Sequence, residues 1–238
     1  MLFFTKKHKI LKSGILNGKT DIHSHLVPGV DDGSPDMEHT MDLLHFMDTI
    51  GYRHLILTPH VMDCNGNNSQ NLRERFNELK SHYEGVLTLD LGAEYMLDSG
   101  FHTHLENGPL RLGKEHLLVE TSYFSGPLDM YDLLFKAWNM GYKPLIAHPE
   151  RYNYMELDDY ANLKAKGYDF QLNLLSLTGY YGARPKEVAT DLLEQEMYDF
   201  VGTDLHHVEH YQMALNEFKL PTKQLDQLEQ LLVNNENV

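Results

Sequence analysis

The sequence has little cysteine, little positive charge and no long apolar run. Cys64 is the single cysteine in 238 residues, so the chain cannot form a disulfide framework of its own. Twenty lysines and arginines stand against 35 acidic residues, and the net charge of -15 argues against nucleic acid as a partner. No stretch approaches the roughly 18 apolar residues of a transmembrane helix, and no signal-peptide pattern opens the chain. We therefore predict a cytoplasmic protein without a transmembrane segment.

The sequence contains enough apolar residues for one packed domain. Hydrophobic residues make up 42% of the chain, which argues against disorder. Seven segments read as strands, separated mostly by helical patterns. They lie around "DIHSH", "RHLILTPH", "VLTLDLGAEY", "EHLLVET", "KPLIAHPER", "YDFQLNL" and "YDFVGTDLH". This alternation predicts an α/β fold with a parallel sheet, and at this length closure into a barrel is expected.

Residues typical of helix ends mark several boundaries. Ser34 is a predicted helix cap with a proline after it, and Gly51 is the predicted stop of that helix. Ser69 is the predicted cap of a second, polar helix. Two helices are expected to close the chain, around residues 207–218 and 222–233.

The first strand carries the most informative motif, "TDIHSHLVPGVDDG". His23 and His25 are two residues apart, so in a strand their imidazoles point to the same face. Convergent imidazoles are a common way to hold a metal ion. Asp32 follows in the loop that leaves this strand.

The other strands also end in histidines or carboxylates. These residues are His60, Glu94, Glu120, His148, Asp204 and His206. A lone residue of this kind is usually a cap or a hydrogen-bonding group, but here six of seven strands supply one; the sixth strand offers only Asn173. In a β/α barrel these ends meet at one rim, so we predict a metal site there. Nine candidate ligands exceed the needs of one ion and favour a cluster of two or three ions. Nitrogen and oxygen ligands without thiolate suit Mn, Fe or Zn, and such a cluster suits phosphoester hydrolysis.

The motifs "HSH", "TPH", "GAE", "HPER" and "GTDLH", in this order, resemble the polymerase-and-histidinol-phosphatase (PHP) superfamily. "DIHSHLVPGVDDGS" and "HPERY" more specifically resemble its capsule- and exopolysaccharide-associated bacterial protein-tyrosine phosphatases of the CpsB/YwqE type. The likeness runs from about Asp21 to His206. It implies a distorted (β/α)7 barrel of the PHP fold as a single domain, residues 21–238, after an N-terminal extension, residues 1–20.

The resemblance also implies a chemistry and a partner. The expected centre holds three divalent metal ions, usually manganese. The expected reaction is hydrolysis of phosphotyrosine on the tail of a cognate bacterial tyrosine autokinase that controls capsule or exopolysaccharide synthesis. A bridging hydroxide would attack phosphorus, and a phenolate with a pKa of about 10 leaves easily.

Roles for individual residues follow from the same resemblance. One metal would take His23, His25, Glu94 and Asp204; a second Glu94, Glu120 and His148; a third Asp32, His60 and His206. Asp31 would support a ligand without binding metal. Arg151 matches the arginine that binds phosphate, and we take Arg151, Asp204 and His206 as the catalytic residues.

One departure from the pattern concerns the last motif. Relatives tend to continue it with an asparagine and then an arginine, whereas this chain continues "HHVEHYQ" from His206. Arg184 is the predicted substitute for the missing cation. Tyr180 and Tyr181 have two interpretations, an entrance lining for an aromatic substrate or ordinary packing.

Several alternative functions match parts of the pattern. A cysteine-dependent phosphatase needs an arginine six residues after its cysteine, and Gln70 stands six after Cys64. His102 and His104 repeat the HxH spacing, but we predict a surface loop near the entrance. A small-molecule phosphatase of the histidinol-phosphate kind would share the cluster. An amidohydrolase would usually carry a modified lysine where Glu120 stands, and a sequestering partner would bind phosphopeptide without releasing phosphate.

Overall fold

The computed structural model describes residues 6–238, in which strands and helices alternate in a mixed α/β fold. The strands are β1 (Lys7–Lys9), β2 (Thr20–Asp21), β3 (His54–Leu57), β4 (His60–Val61), β5 (Thr88–Leu91), β6 (Glu94–Met96), β7 (His116–Glu120), β8 (Lys143–Ala147), β9 (Asp169–Asn173), β10 (Phe200–Gly202) and β11 (Lys219–Pro221). The helices are α1 (Ile10–Ser13), α2 (Met37–Thr49), α3 (Ser69–His82), α4 (Phe101–Glu106), α5 (Met130–Asn139), α6 (Leu157–Ala165), α7 (Ala183–Glu194), α8 (Val208–Asn216) and α9 (Thr222–Asn234). None of the helices in residues 6–238 is long and apolar enough to cross a membrane.

The parallel strands form two sheets. Six of them lie in the order β10, β9, β8, β7, β6, β4 and make half of a barrel. The other three lie in the order β2, β3, β5, also parallel. The predicted parallel sheet is therefore confirmed, because every pairing within these two sheets is parallel.

Two of the predicted strands are each divided between the two sheets. Thr58 and Pro59 separate β3 from β4, and proline has no N–H to continue a ladder. Gly92 and Ala93 separate β5 from β6. A Cβ at Gly92 would lie 2.6 Å from Leu112 Cδ2, so a larger residue at this crossing would require Leu112 to shift. The prediction of uninterrupted strands here was wrong because sheet continuity is not encoded by local alternation.

Contacts between the first and last parallel strands bring their ends together. Ser24 and Leu205 form a parallel bridge, and the His25 N–H donates to the Leu205 carbonyl at 2.9 Å. The Asp204 N–H donates to the His23 carbonyl at 2.7 Å. Residues far apart in sequence thus meet at one end of the sheets.

Several helix ends differ from the predictions. Asp36, not Ser34, caps α2, because its carboxylate accepts the His39 N–H. Asn68, not Ser69, caps α3 in a reciprocal capping box with Asn71. The segment containing His102 and His104 is the short helix α4, not a loop.

Part of the segment predicted as an N-terminal extension packs against the rest of the molecule. Strand β1 pairs antiparallel with β11. Ile10 and Leu16 are buried in the main core. Residues 1–5 lie outside the described part of the chain.

A cluster of apolar side chains is formed by residues on or next to the strands of the two parallel sheets. Its buried members include Ile22, Ile56, Leu118, Leu145 and Phe200. Leu118 precedes Glu120 by two residues, so in β7 both side chains point to the same face. The strands therefore carry apolar side chains along their length and polar ones where they end.

Candidate metal centre

All nine side chains predicted as metal ligands meet at one end of the parallel sheets. Most of them end or follow a strand, whereas His60 and Glu94 are the first residues of β4 and β6. The nine form four overlapping groups, and within each group one donor atom per residue lies within 4.8 Å of the others. The groups are His25, Asp32, His60 and His206; His23, His25 and Asp204; His23, Glu94 and His148; and His60, Glu94 and Glu120. We call these nine residues the metal-ligand cluster.

His23 and His25 face each other through their Nε2 atoms, which can hydrogen bond to one another only when one of the two rings is protonated. The Nδ1 of His23 donates to Gln171 Oε1 at 2.8 Å, and the Nδ1 of His25 donates to Asp31 Oδ2 at 2.8 Å. Each neutral ring therefore carries its proton on Nδ1, which leaves a lone pair on each Nε2. These two Nε2 atoms are 3.1 Å apart, and the Asp204 carboxylate lies 3.2 Å from one and 3.4 Å from the other. Lone pairs at this distance repel, and a cation bound by both nitrogens removes the repulsion.

Buried polar atoms without a hydrogen-bond partner lie in the same place. His60 Nδ1 is 3.0 Å from Glu94 Oε2 and 2.9 Å from Glu120 Oε1, but none of these three atoms has a hydrogen bond. Buried polar atoms are rarely left without a partner because desolvation is costly. This donor set fits divalent cations, with imidazole and carboxylate ligands and no thiolate.

Glu94 occupies the middle of the cluster. Its Oε1 accepts from His148 Nε2 at 3.0 Å, while Oε2 faces His23 at 3.4 Å, His25 at 3.5 Å and His60 at 3.0 Å. The two oxygens thus serve different groups of the cluster. This is the geometry expected of a carboxylate that bridges two ions.

The group of His25, Asp32, His60 and His206 lies at the edge of the cluster. Asp32 Oδ1 is 3.5 Å from both His60 Nε2 and His206 Nε2, and His25 stacks on His206. His60 takes part in two groups, through Nε2 here and through Nδ1 towards Glu94. The resemblance to the phosphatase family implied that His60 shares an ion only with Asp32 and His206.

The acidic and basic members of the cluster shift one another's pKa. Burial lowers the pKa of His23, but Glu94 and Asp204 outweigh it and raise that pKa to about 9. Burial raises the pKa of Glu94 and of Asp204, yet His23 and its neighbours hold both well below the usual range. The carboxylates therefore remain charged and attract positive charge, either as protons on imidazoles or as metal ions.

Two ligands are held in a backbone conformation that residues other than glycine rarely adopt. His148 has φ 32° and Asp204 has φ 53°, both in the left-handed region. Such strain persists where the surrounding structure holds it, and it is often found at functional sites.

Two glycines leave room for the first histidines. A Cβ at Gly33 would lie 2.1 Å from the His25 carbonyl oxygen, and one at Gly202 would lie 2.5 Å from the Cβ of His23. The sequence analysis missed both glycines, since nothing in their local pattern shows which histidine lies opposite.

Asp31 supports the cluster from its edge, as the prediction expected. Its Oδ2 accepts from His25 Nδ1 and from the His60 N–H, and its Oδ1 accepts from the Gly33 N–H. Gln171 does the same for His23 and was missed, because a glutamine inside a buried strand gives no signal of its own. Hydrogen bonds of this kind fix the orientation of a ligating imidazole.

Arg151 lies beside the cluster, between two aromatic rings. Its guanidinium carbon is 4.3 Å from the centre of the Tyr123 ring and 4.0 Å from that of Tyr181. Its Nη1 donates to Asp204 Oδ2 at 2.7 Å. Asn173 donates to the same oxygen at 2.9 Å and to the Tyr181 hydroxyl at 3.2 Å. The two rings therefore fix the plane of the guanidinium group, and its hydrogen bond fixes its direction towards Asp204, a predicted ligand.

A pocket of about 280 Å³ opens above the cluster. Its upper wall, which we call the rim, consists of Tyr123, Arg151, Tyr180, Tyr181, His207 and His210. Asp32, His60, Asp204 and His206 of the cluster also line it. Both tyrosines left open by the sequence analysis therefore face the pocket, and Tyr123 was missed.

Arg184 does not line the pocket, so its prediction as a substitute for the missing cation was wrong. Its Nη2 donates to the Met155 carbonyl at 2.9 Å and to Glu156 Oε1 at 3.3 Å. It joins the start of α7 to the segment before α6. His207 and His210 occupy the pocket wall where an arginine was expected.

The remaining candidates lie elsewhere. Cys64 is exposed and lines neither the pocket nor any of the four ligand groups. His102 pairs with Glu106 on the surface of α4. Neither residue contributes to the metal-ligand cluster.

The sequence is similar to those of several known proteins. The family model "Capsular polysaccharide synthesis, CpsB/CapC" matches residues 19–237. A putative tyrosine-protein phosphatase CapC from Staphylococcus aureus is 26% identical over 83% of this chain and 80% of its own length. The tyrosine-protein phosphatase YwqE from Bacillus subtilis is 29% identical over 82% of each chain.

A solved crystal structure has a similar fold. A crystal structure from work on YwqE of Bacillus subtilis and CpsB of Streptococcus pneumoniae, described as metal-dependent tyrosine phosphatases, superposes with a TM-score of 0.74. The two chains are 27% identical, and the superposition covers 90% of this chain and 94% of the other.

Proposed function

The chain belongs to the CpsB/CapC family of capsular polysaccharide synthesis proteins, and from this premise we propose that it is a metal-dependent protein-tyrosine phosphatase. The observation that carries the proposal is the metal-ligand cluster with its unpartnered buried atoms, at the floor of a pocket that also holds Arg151. Bound divalent ions would acidify water and neutralise phosphoryl oxygens. A small-molecule phosphatase of the histidinol-phosphate kind is not favoured by the relatives.

We assign three ions, with manganese foremost and iron or zinc as alternatives. His23, His25, Glu94 and Asp204 would hold one; Glu94, Glu120 and His148 a second; Asp32, His60 and His206 a third. The support for this division is that Glu94 turns its two oxygens to different groups, and that Asp32 and His206 lie together at the edge.

The residues around the ions have distinct tasks in the proposed reaction. Arg151, kept in plane by Tyr123 and Tyr181, would hold the non-bridging phosphoryl oxygens through charge-assisted hydrogen bonds. Asp204, at once a ligand and the acceptor for Arg151, would align the phosphate with the ions. Burial works against the charge on Arg151, but Asp204 raises its pKa above the usual value, so it stays cationic.

An aryl phosphate suits this site better than an alkyl phosphate. The leaving phenolate has a pKa of about 10, so little proton donation is needed to release it. The pocket wall provides the rings of Tyr123, Tyr180 and Tyr181, against which an aromatic substrate can pack.

Three further points belong to the same proposal. The substrate would be the phosphotyrosine-containing tail of a bacterial tyrosine kinase, with the cytoplasm as compartment. The two sheets would together form a distorted (β/α)7 barrel, supported by the bridge between Ser24 and Leu205. Residues 1–20 would be an extension of a phosphatase domain that spans residues 21–238.

Phosphate release from a tyrosine-phosphorylated kinase tail tests the proposal. We expect turnover to disappear after chelation with EDTA and to return with Mn²⁺, because the pocket floor consists of metal ligands. Histidinol phosphate, run in parallel, should be hydrolysed much more slowly. Turnover that persists in the fully demetallated, folded protein would disprove the assignment.

A further inference from the structure

Five large apolar side chains are exposed along the segment that leads from the pocket into helix α5. We call Phe124, Leu128, Tyr131, Phe135 and Trp138 the apolar stripe. Phe124 is 82% exposed and Phe135 60% exposed, and Leu128 is fully accessible. Contiguous exposed apolar patches on a folded protein usually mark an interaction site.

Helix α5 is apolar on two faces. Met130, Leu134 and Ala137 are buried and attach the helix to the core. In an ordinary surface helix, the residues that repeat at this spacing on the outward face are polar. In α5 these positions hold Tyr131 and Phe135. The core therefore accounts for one apolar face and leaves the other unexplained.

The loop that starts the apolar stripe is fixed by hydrogen bonds. The Asn153 N–H donates to the Tyr123 carbonyl at 2.8 Å, and the Phe124 N–H donates to the Ser122 hydroxyl at 3.3 Å. Thr121 is hydrogen bonded to the Tyr154 hydroxyl. Phe124 is thus presented outwards on an anchored backbone.

The apolar stripe begins one residue after the pocket lining. Tyr123 lines the pocket and contacts Arg151, and the next residue is Phe124. Leu128 is five residues beyond Tyr123, a reach of at most about 18 Å. A polypeptide whose phosphotyrosine enters the pocket passes within this distance of the apolar stripe.

We propose that the pocket end of the apolar stripe, Phe124 and Leu128, docks apolar side chains that flank the phosphotyrosine in the substrate chain. This inference rests on the proposed function and adds sequence selectivity to it. The flanking side chains would lie about two to five residues from the phosphotyrosine, given the reach of an extended chain. A second copy of this protein is a poorer occupant, because each copy carries a net charge of -15.

Binding of two peptides by the metal-loaded protein tests the proposal. Both carry a central non-hydrolysable phosphotyrosine analogue, flanked in one by leucines and in the other by serines. We expect the wild-type protein to bind the leucine peptide about 10-fold more tightly, in keeping with the burial of a few apolar side chains. The double variant Phe124→Ser/Leu128→Ser should bind both peptides equally. Val86→Ser changes another exposed apolar residue, on the segment before β5, and should keep the preference.

Turnover separates this inference from the proposed function. In the double variant, hydrolysis of p-nitrophenyl phosphate should stay within about twofold of wild type, because that substrate does not reach the apolar stripe. Equal affinity of the wild type for both peptides would overturn the docking site. So would a wild-type dimer in sedimentation that the double variant abolishes. A retained peptide preference without any phosphatase activity would instead refute the proposed function.

Discussion

The metal-ligand cluster and the rim above it are built in opposite ways. The cluster consists of side chains that leave the ends of parallel strands, and residues such as His23 and Glu94 are completely buried. The rim consists of aromatic rings and one arginine on loops and on α8, and Tyr180 is 44% exposed. Side chains in the cluster face several partners at once, whereas Arg151 in the rim depends on two rings and one carboxylate.

This difference indicates a division of labour. Convergent, buried, charged groups are costly unless ions compensate them, so the cluster determines whether chemistry occurs at all. In the proposed reaction the rim would orient the substrate that enters the pocket, and its contribution to the rate would be graded. Substitutions should therefore have large effects in the cluster and moderate ones in the rim.

The largest effect is expected for Glu94. Glu94→Ala should remove more than one equivalent of metal, since its two oxygens face different groups, and should lower kcat/KM by about a thousandfold or more. Asp32→Ala, at the exposed edge of the cluster, should remove mainly one equivalent. Elemental analysis of folded protein, checked by circular dichroism, measures both. Equal metal loss in the two variants would argue against a bridging Glu94.

An intermediate effect is expected for Arg151. Charge-assisted hydrogen bonds are worth about 1.5–3 kcal/mol, so Arg151→Ala should reduce kcat/KM by roughly 10- to 200-fold. Metal content should not change, because the guanidinium is not a ligand. Arg184→Ala is the matched control, and we expect it to stay within about threefold of wild type since it lies outside the pocket. A severe loss in Arg184→Ala with a mild one in Arg151→Ala would reverse this assignment.

A smaller effect is expected for the ring that holds the arginine. Cation–π contacts are worth about 0.5–2 kcal/mol, so Tyr181→Leu should lower kcat/KM by about 2- to 30-fold. Tyr181→Phe keeps the ring and should recover most of the activity. Steady-state kinetics on an aryl phosphate distinguishes the two. If the phenylalanine variant were as impaired as the leucine variant, the hydroxyl would matter more than the ring.

The smallest effect is expected outside both regions. Cys64 is exposed and belongs neither to the pocket lining nor to the metal-ligand cluster, so Cys64→Ser should leave kcat/KM within about twofold of wild type. Thiol-blocking reagents should likewise leave activity intact. Loss of activity in a folded, metal-loaded Cys64→Ser variant would require a different mechanism.

The sequence predicted the cluster better than the rim for a physical reason. In a strand the side chains alternate, so a histidine or carboxylate at a strand end has a defined face from local pattern alone. That alternation is sufficient to place His23, His25, Glu120 and His148 at the ends of their strands. No comparable periodicity exists in loops, which is why Tyr123 was missed and Arg184 was misplaced.

By itself, then, the sequence determined the main alternation of strands and helices, the parallel sheet and the nine candidate ligands. Only the tertiary structure decided which of these candidates lie together, since His60 faces two groups across strands that are separate in sequence. It also decided that Gly33 and Gly202 make room for His25 and His23, and that Arg151 rather than Arg184 reaches the pocket. The reason is that periodicity fixes the direction of a side chain relative to its own strand, whereas distances between strands depend on how sheets and loops close in space.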